Sequence, residues 1–337
     1  MNPPVDVSVL MVTWNSGDFL PASLAALGLS DPPPTELVVV DNASTDRSIE
    51  IVEAAASGAT IAINLIRSDR NLGFAAGMNR AIAASSNPYV LLLNPDVRVL
   101  PEMIGRLHDS MNEFPADVYA IGPKLRRASG NALEPTHVID SVGIRMTRDG
   151  RHFDRGAGQL DSAQFDKPEE VFGISGAAVM FRKAVLEASM VDGEIFDEDF
   201  FAYREDADLA WRMRGFGYRA FYEPRAVGYH LRRVTPERRR ALPAAINRHS
   251  VKNRFLLRIH HADTGWMRAF GVRSLARDMI VIGACLTVER SSLAGLVWVI
   301  RNSKRHIRRR RRILSRRRVR SEELQRWFRP SMSRGEP

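Results

Sequence analysis

Apolar residues in the first third of the chain come in short unbroken runs, and each run stops on polar residues. The runs are "VSVLMVTWN" (Val7 to Asn15), "ELVVVDN" (Glu36 to Asn42), "ATIAINLIRS" (59–68) and "YVLLLNPD" (Tyr89 to Asp96). A strand with one wet face would alternate, so unbroken runs read as strands buried on both faces. Between them apolar residues recur three and four apart. Examples are Phe19, Leu20, Leu24 and Leu27, the Ile49–Val52 pair, and the segments "GFAAGMNRAIAAS" and "PEMIGRLHDSMNEF". That spacing predicts helices, with Ser44 or Thr45 capping the second. Strand and helix alternate four times, which predicts an α/β fold with a mostly parallel, doubly wound sheet. Ligands of such a sheet sit beyond the carboxyl ends of its strands.

After Phe114 the rhythm changes. Residues 124–172 are rich in Gly, Arg, Asp and Ser and read as hairpins and loops. "ISGAAVMFRKAVLEA" predicts a strand and a helix. "DEDFFAYREDADLAWRMRGFGYRAFYEP" predicts loop, helix and strand, with Gly215 as a helix stop, and "AVGYH" one more short strand. From about residue 236 the pattern is helical. The expected organisation is a sheet domain over 1–235 and a helical, basic extension over 236–337.

Composition narrows the setting. One cysteine, Cys285, allows no disulfide within the chain and no Cys-rich zinc site, which suits a reducing cytoplasm. The first fifteen residues lack the basic and long apolar regions of a secretory signal. The apolar stretch Met279 to Ile300 is split by Glu289-Arg290, so no transmembrane helix is expected. The net charge of +10 is concentrated: twelve of the twenty residues from Arg301 to Arg320 are basic and none is acidic. The basic surface is therefore the tail. No nucleic-acid reading module and no interleaved aromatics accompany it. Apolar segments just before it favour an interfacial anchor on an anionic membrane.

The strand ends carry the candidate chemistry. Asn94-Pro95-Asp96 stops a core strand, because Pro95 has no backbone donor, and leaves Asp96 at the mouth of the sheet. Taken alone it is good turn chemistry. Asp41 makes the same transition after "LVVV", and Thr13 and Asn15 end the first strand. Three strand ends bringing polar groups to one rim point to a binding site. There is neither a P-loop nor a G-x-G-x-x-G dinucleotide fingerprint. Carboxylates hold phosphates through a hard cation such as Mg²⁺ or Mn²⁺. Asp96 with a metal is thus a diphosphate anchor, and Asp41 an acceptor for a base or ribose.

The segments "VTWNSGDFLPASLAAL", "LVVVDNASTDRS", "NLGFAAGMNRAIA", "VLLLNPDV", "ISGAAVMFRKAVLE", "FDEDFFAYREDADLAWRMRGFGY" and "AVGYH" occur in this order. Together they resemble glycosyltransferase family 2, in the branch similar to bacterial rhamnosyltransferases. The resemblance covers about residues 7–233, with "KNRFLLRIHH" as a further match. It implies a GT-A fold, inversion at the sugar carbon, a nucleotide-sugar donor (dTDP- or UDP-linked) and Mg²⁺ or Mn²⁺. By the same resemblance Thr13 and Asp41 hold the nucleoside. Asn71 and Gly73 lie in the loop beside the diphosphate, with Arg70 a phosphate contact. Asp96 is the last acid of a metal-binding D-x-D whose first position here is Asn94, and His230 completes the metal shell.

Inverting transfer needs a carboxylate to take the acceptor's proton, and Asp206 is the expected base. Leu209 and Met213 lie four apart and define an apolar helix face, with Asp206 on or beside it and Glu205 as the second candidate. Asp208 reads as half of a surface ion pair with Arg212, four residues on. Ser175 and Gly176 are small enough to let a sugar approach the backbone, and Tyr203 offers a ring for a sugar face. The expected protein is an inverting glycosyltransferase moving a deoxyhexose such as rhamnose to a glycan or lipid-linked acceptor. It is expected to be cytoplasmic, peripheral at the inner face of the cell membrane, and to bind no specific nucleic acid. The alternatives are a nucleotidyltransferase making a sugar nucleotide and a non-catalytic basic adaptor for membrane or nucleic acid.

Overall fold

The computed structural model describes residues 2–58, 61–232 and 244–329. The first half builds as its pattern predicts: β1 (Val5–Thr13), α1 (Leu20–Gly28), β2 (Pro34–Asp41), α2 (Ser48–Gly58), β3 (Ala62–Arg67), α3 (Gly73–Ala84) and β4 (Tyr89–Leu93). After the Asn94-Pro95-Asp96 turn come β5 (Val97–Val99), α4 (Met103–Glu113) and β6 (Val118–Ser129). Hairpins follow as expected, with β7 (Glu134–Ser141), β8 (Ile144–Met146), β9 (His152–Asp154) and β10 (Glu169–Val171). Then come β11 (Ala178–Arg182), α5 (Lys183–Ala188), α6 (Glu205–Gly215) and β12 (Arg219–His230). The C-terminal helices are α7 (Ala244–His261), α8 (Thr264–Thr287), α9 (Leu293–Ser315) and α10 (Ser321–Gln325).

Ten strands form one mixed sheet in the order β10-β12-β6-β11-β4-β1-β2-β3, with β5 on β12 and β7 on β6. The half built from β1 to β4 is wholly parallel, as the unbroken apolar runs require. The other half is mixed, because β11 runs antiparallel between β4 and β6. Apolar clusters cover both faces. Leu10, Val38 and Leu92 point to one of them, and Val9, Val39 and Leu91 to the other. Alternate residues of one run thus serve opposite cores. The expected boundary at 235/236 lies outside the described residues.

Three local expectations are corrected. Ser44 and Thr45 do not cap α2. Asp46 does so, taking the Ser48 N–H at 3.0 Å, while the Ser44 hydroxyl and the Thr45 N–H bond to Asn15. Asp208 is not half of a surface pair. It is 1% exposed and accepts from His260 Nδ1 at 2.9 Å and His261 Nε2 at 2.8 Å, while the buried Arg212 guanidinium donates to the Ile195 carbonyl. Nor is the arginine run wholly free. Arg305, Arg309, Arg312 and Arg317 pair with Asp199, Asp197, Asp192 and Asp263, fastening α9 and the turn after it to acids elsewhere in the chain.

Candidate active site

One end of the candidate site is made by the first two strands. Thr13 and Asp41 are register partners at the carboxyl ends of β1 and β2. Both are buried, and Thr13 Oγ1 and Asp41 Oδ1 lack a hydrogen-bond partner among the described residues. Leaving such atoms unpaired costs about 1–3 kcal/mol each, so a hydroxyl and a carboxylate oxygen stand available to a ligand. The other oxygen of Asp41 takes the Ser44 N–H at 2.9 Å, which orients the carboxyl. Asn15 serves the loop itself. Its backbone is left-handed (φ 49°), and its side-chain oxygen is engaged by the Thr45 N–H at 2.8 Å.

Beside this lies the "RNLGF" loop. Asn71 Oδ1 accepts from the Gly73 N–H at 2.8 Å, and Arg70 is exposed. Gly73 has φ +83°, and a Cβ there would meet the Phe201 carbonyl oxygen at 2.5 Å. Only glycine meets both demands. The close approach lets the Ala75 N–H bond the Phe201 carbonyl at 3.1 Å, which joins α3 to the loop ahead of α6.

At the middle of the rim, Asp96 Oδ1 is buried and has no hydrogen-bond partner among the described residues. His230 Nε2 stands 3.5 Å from it. β12 pairs with β5, which sets His230 opposite Val97 and brings this imidazole to the turn. Its other nitrogen, Nδ1, meets Asp140 Oδ2 at 2.7 Å, and Arg232 forks onto the same carboxylate. Burial disfavours a charged His230, but Asp96 and Asp140 outweigh burial and lift it to about 10. Burial likewise opposes ionisation of Asp140, and His230 with Arg232 overcomes it, holding Asp140 at about 2. Nε2 holds its proton toward Asp96; a divalent cation would take that proton's place, between a carboxylate and an imidazole whose far nitrogen is anchored by a second carboxylate, a donor set that suits it.

Asp206, in the first turn of α6, accepts from the Gly176 N–H at 3.1 Å and the Ala207 N–H at 2.7 Å. The next carbonyl in that segment, of Ala177, takes the Asn94 N–H at 2.9 Å. The 175–177 segment therefore ties Asp206 to the Asn94-Pro95-Asp96 turn, and the positive charge of Arg232 reaches both Asp206 and Asp140. Asp206 is thus linked through 175–177 to the turn that carries Asp96. Burial raises Asp206 above its ordinary value, with the two N–H bonds pulling the other way. Burial and then the Asp206 charge push Glu205 up to about 8. Both carboxyls are thus biased toward their protonated forms, Glu205 by burial and the Asp206 charge, while Asp206 alone accepts two backbone N–H bonds that favour its ionised form. Gly176 contributes its N–H rather than empty space, since a Cβ there would touch Asp206 only at an ordinary 3.5 Å. Ser175 is buried beside it, and Tyr203 is 39% exposed.

Sequence reasoning missed the residues that hold the catalytic helix. Phe201, Tyr203 and Arg204 all have left-handed backbone, with φ of 66°, 72° and 74°. Such strain persists only where surrounding structure imposes it. Asn253 of α7 imposes it here: its buried amide nitrogen lies within hydrogen-bond distance of the carbonyls of Phe200 (2.9 Å), Ala202 (2.9 Å) and Tyr203 (2.7 Å). About two turns along α7, His260 and His261 grip Asp208, and His260 Nε2 meets His306 Nδ1 of α9 at 3.1 Å. The "KN…HH" motif was visible in the sequence, but its contacts, some fifty residues back, were not.

A mixed sheet whose strand ends offer unpaired buried polar atoms, a carboxylate–imidazole pair and a helix-borne acid has the layout of a GT-A-type transferase. The chain belongs to glycosyl transferase family 2, whose sequence profile matches residues 8–189. It is 28% identical over 305 residues to an N-acetylglucosaminyl-diphospho-decaprenol L-rhamnosyltransferase of Mycobacterium tuberculosis (strain CDC 1551 / Oshkosh), covering 85% of this chain and 93% of the relative. Its fold is similar to that of GalNAc-T7 with UDP, GalNAc and Mn²⁺, at a TM-score of 0.60 and 12% identity over 75% of this chain. That match spans 48% of the other protein's length. It is also similar to S. aureus TarS 1-349 in complex with UDP-GlcNAc (TM-score 0.54, 17% identity, 92% of this chain and 91% of that one). Of the functions open at the level of sequence, glycosyl transfer is the one that stands.

Proposed function

We propose that this chain is an inverting glycosyltransferase that moves a deoxyhexose such as rhamnose from a dTDP- or UDP-linked donor to a lipid-linked glycan acceptor. It works at the inner face of the cell membrane. The observation that carries the reading is the gathering of unpaired buried acceptors at Thr13, Asp41 and Asp96 on the rim that also holds Asp206. The relative's name, which joins rhamnosyl transfer to a diphospho-decaprenol acceptor, supports the sugar and acceptor class.

Each residue has a defined task in this reading. Thr13 and Asp41 take hydrogen bonds from the base and ribose, and Asn15 holds their loop. Asn71, Gly73 and Arg70 border the diphosphate. Asp96 and His230 would hold Mg²⁺ or Mn²⁺, with Asn94 at the edge of that site. When bound, the cation balances the charge that collects on the departing diphosphate. Asp206 takes the proton of the acceptor hydroxyl while that oxygen bonds to the anomeric carbon and the bond to the diphosphate breaks. Ser175, Gly176 and Tyr203 border the space where the two sugars meet. Incubating purified protein with a panel of nucleotide sugars and an N-acetylglucosaminyl-diphospho-polyprenol acceptor, with and without Mn²⁺, tests this by mass spectrometry. Product from a dTDP- or UDP-deoxyhexose, dependent on the cation, is expected. Absence of glycosylated product with every donor would remove the reading.

A further inference from the structure

Helix α8 is built inside out. Its buried face carries Trp266, Phe270 and Cys285, but also Ser274 and Asp278, and the last two are held by Arg258 and Arg254 of α7. Its solvent face carries Val272, Leu275, Met279, Ile280 and Leu286, with Val272 85% and Met279 67% exposed. A helix that only packed against its own protein would place these residues the other way round. The apolar surface continues past the end of α8. The helices α8 and α9 meet at a bend of 113°, and Val288, Val297 and Ile300 are exposed around it, Ile300 at 72%. Among the described residues no single helix is long and apolar enough to cross a membrane, and only the bent α8–α9 pair taken together reaches that length and composition.

Charge selects the occupant of this face. From residue 264 to 315 the only acids are Asp278, which is buried and paired with arginine, and Glu289. Arg268, Arg273, Arg290, Arg301, Lys304 and Arg308 are exposed on the same two helices and their junction. A second copy docking by a twofold axis would bring this arginine-rich surface against itself, with almost no acid to answer it. An anionic lipid surface offers both partners at once, acyl chains for the apolar face and head groups for the arginines.

We infer that the outward face of α8 and its bend into α9 insert into the interfacial layer of an anionic bilayer. The apolar residues supply the insertion, and the exposed part of the basic run supplies the attraction. This deepens the membrane location proposed above and rests on it. It also narrows the contact within the arginine run of 301–320 to the residues not spent on internal acids, and adds the exposed apolar helix surface ahead of it.

Sedimentation of the full-length protein with vesicles, without donor or acceptor, tests the inference. Phosphatidylglycerol–phosphatidylcholine vesicles are compared with phosphatidylcholine alone. The variant Val272→Ser/Leu275→Ser/Met279→Ser/Ile280→Ser is expected to lose more than about tenfold in partitioning to the anionic vesicles. Its melting temperature and nucleotide binding should stay unchanged, since all four residues face solvent. Arg301→Ser/Lys304→Ser/Arg308→Ser is expected to weaken partitioning to anionic vesicles only, and added salt should erase the difference. Partitioning of the quadruple-serine variant equal to wild type would overturn the inference. So would a wild-type dimer in analytical ultracentrifugation that the quadruple-serine variant abolishes, because a second copy would then cover the face. Vesicle binding as described, with no sugar transferred from any donor, would leave this surface standing and remove the catalytic reading instead.

Discussion

The two halves of the sheet are built on different terms. From β1 to β4 the strands are parallel, and their functional residues are simply the next residues along: Thr13 ends β1, Asp41 ends β2, and Asp96 follows β4 by three. From β5 to β12 the strands are mixed, and each functional side chain depends on a partner far away in sequence. His230 relies on Asp140, ninety residues back, and the loop before Asp206 relies on Asn253, some fifty residues on. The parallel half can thus form from local pattern and sheet register. The mixed half, with Asp206 and His230, is complete only once the hairpins and the C-terminal helices have docked.

Substitutions on the two sides should therefore fail differently. The largest effect is expected from Asp206→Asn, a loss in kcat of about 10²–10⁴-fold with nucleotide affinity kept. Glu205→Gln should retain most activity, because burial and the neighbouring Asp206 charge favour the protonated form that Gln imitates. Single-turnover assays paired with calorimetric nucleotide titration read both, and the reverse ranking would move the base to Glu205. Next, Asn253→Ala should lower kcat about tenfold or more and cost about 1–3 kcal/mol of stability by freeing the strained loop. Nucleotide affinity should barely change. Equal losses in kcat and nucleotide affinity would erase the distinction between the halves.

Asp140→Asn should weaken Mn²⁺ binding about 10–100-fold, followed by electron paramagnetic resonance of the free ion. Asp41→Asn should leave Mn²⁺ alone and weaken nucleotide binding by about 1–3 kcal/mol. The smallest effect at working pH concerns the joint between α6 and the C-terminal helices. Burial holds both His261 and His306 at about 4, below the ordinary 6.5. Their neutral forms belong to the docked state, so stability is intact above pH 6.5 and falls as pH drops toward 4. Hydrogen exchange should show α7 and α9 loosening in that window before β1 and β2 do.

Legibility followed the same division. Asp41 and Asp96 could be read because an unbroken apolar run ending on an acid announces itself within eight residues. Asp206 could be placed on its helix, but the expected amphipathic face misled about its neighbours. Nearly all of α6 is buried, so Asp208 turns inward to two histidines instead of outward to Arg212. The arginine run was plain as composition, yet composition does not say which arginines are spent on Asp192, Asp197 and Asp199.

What the chain determines by itself is periodic. Runs of buried strand, helical spacing and their polar stops define a wound sheet with acids on its rim, because burial on two faces and one helical stripe depend on near neighbours. What only the folded molecule decides is which distant groups become partners: Asp140 with His230 and Arg232, Asn253 with three carbonyls, Asp208 with His260 and His261. Such pairings form where water is excluded and each group needs a partner, and which partner it finds is set by the docking of whole elements.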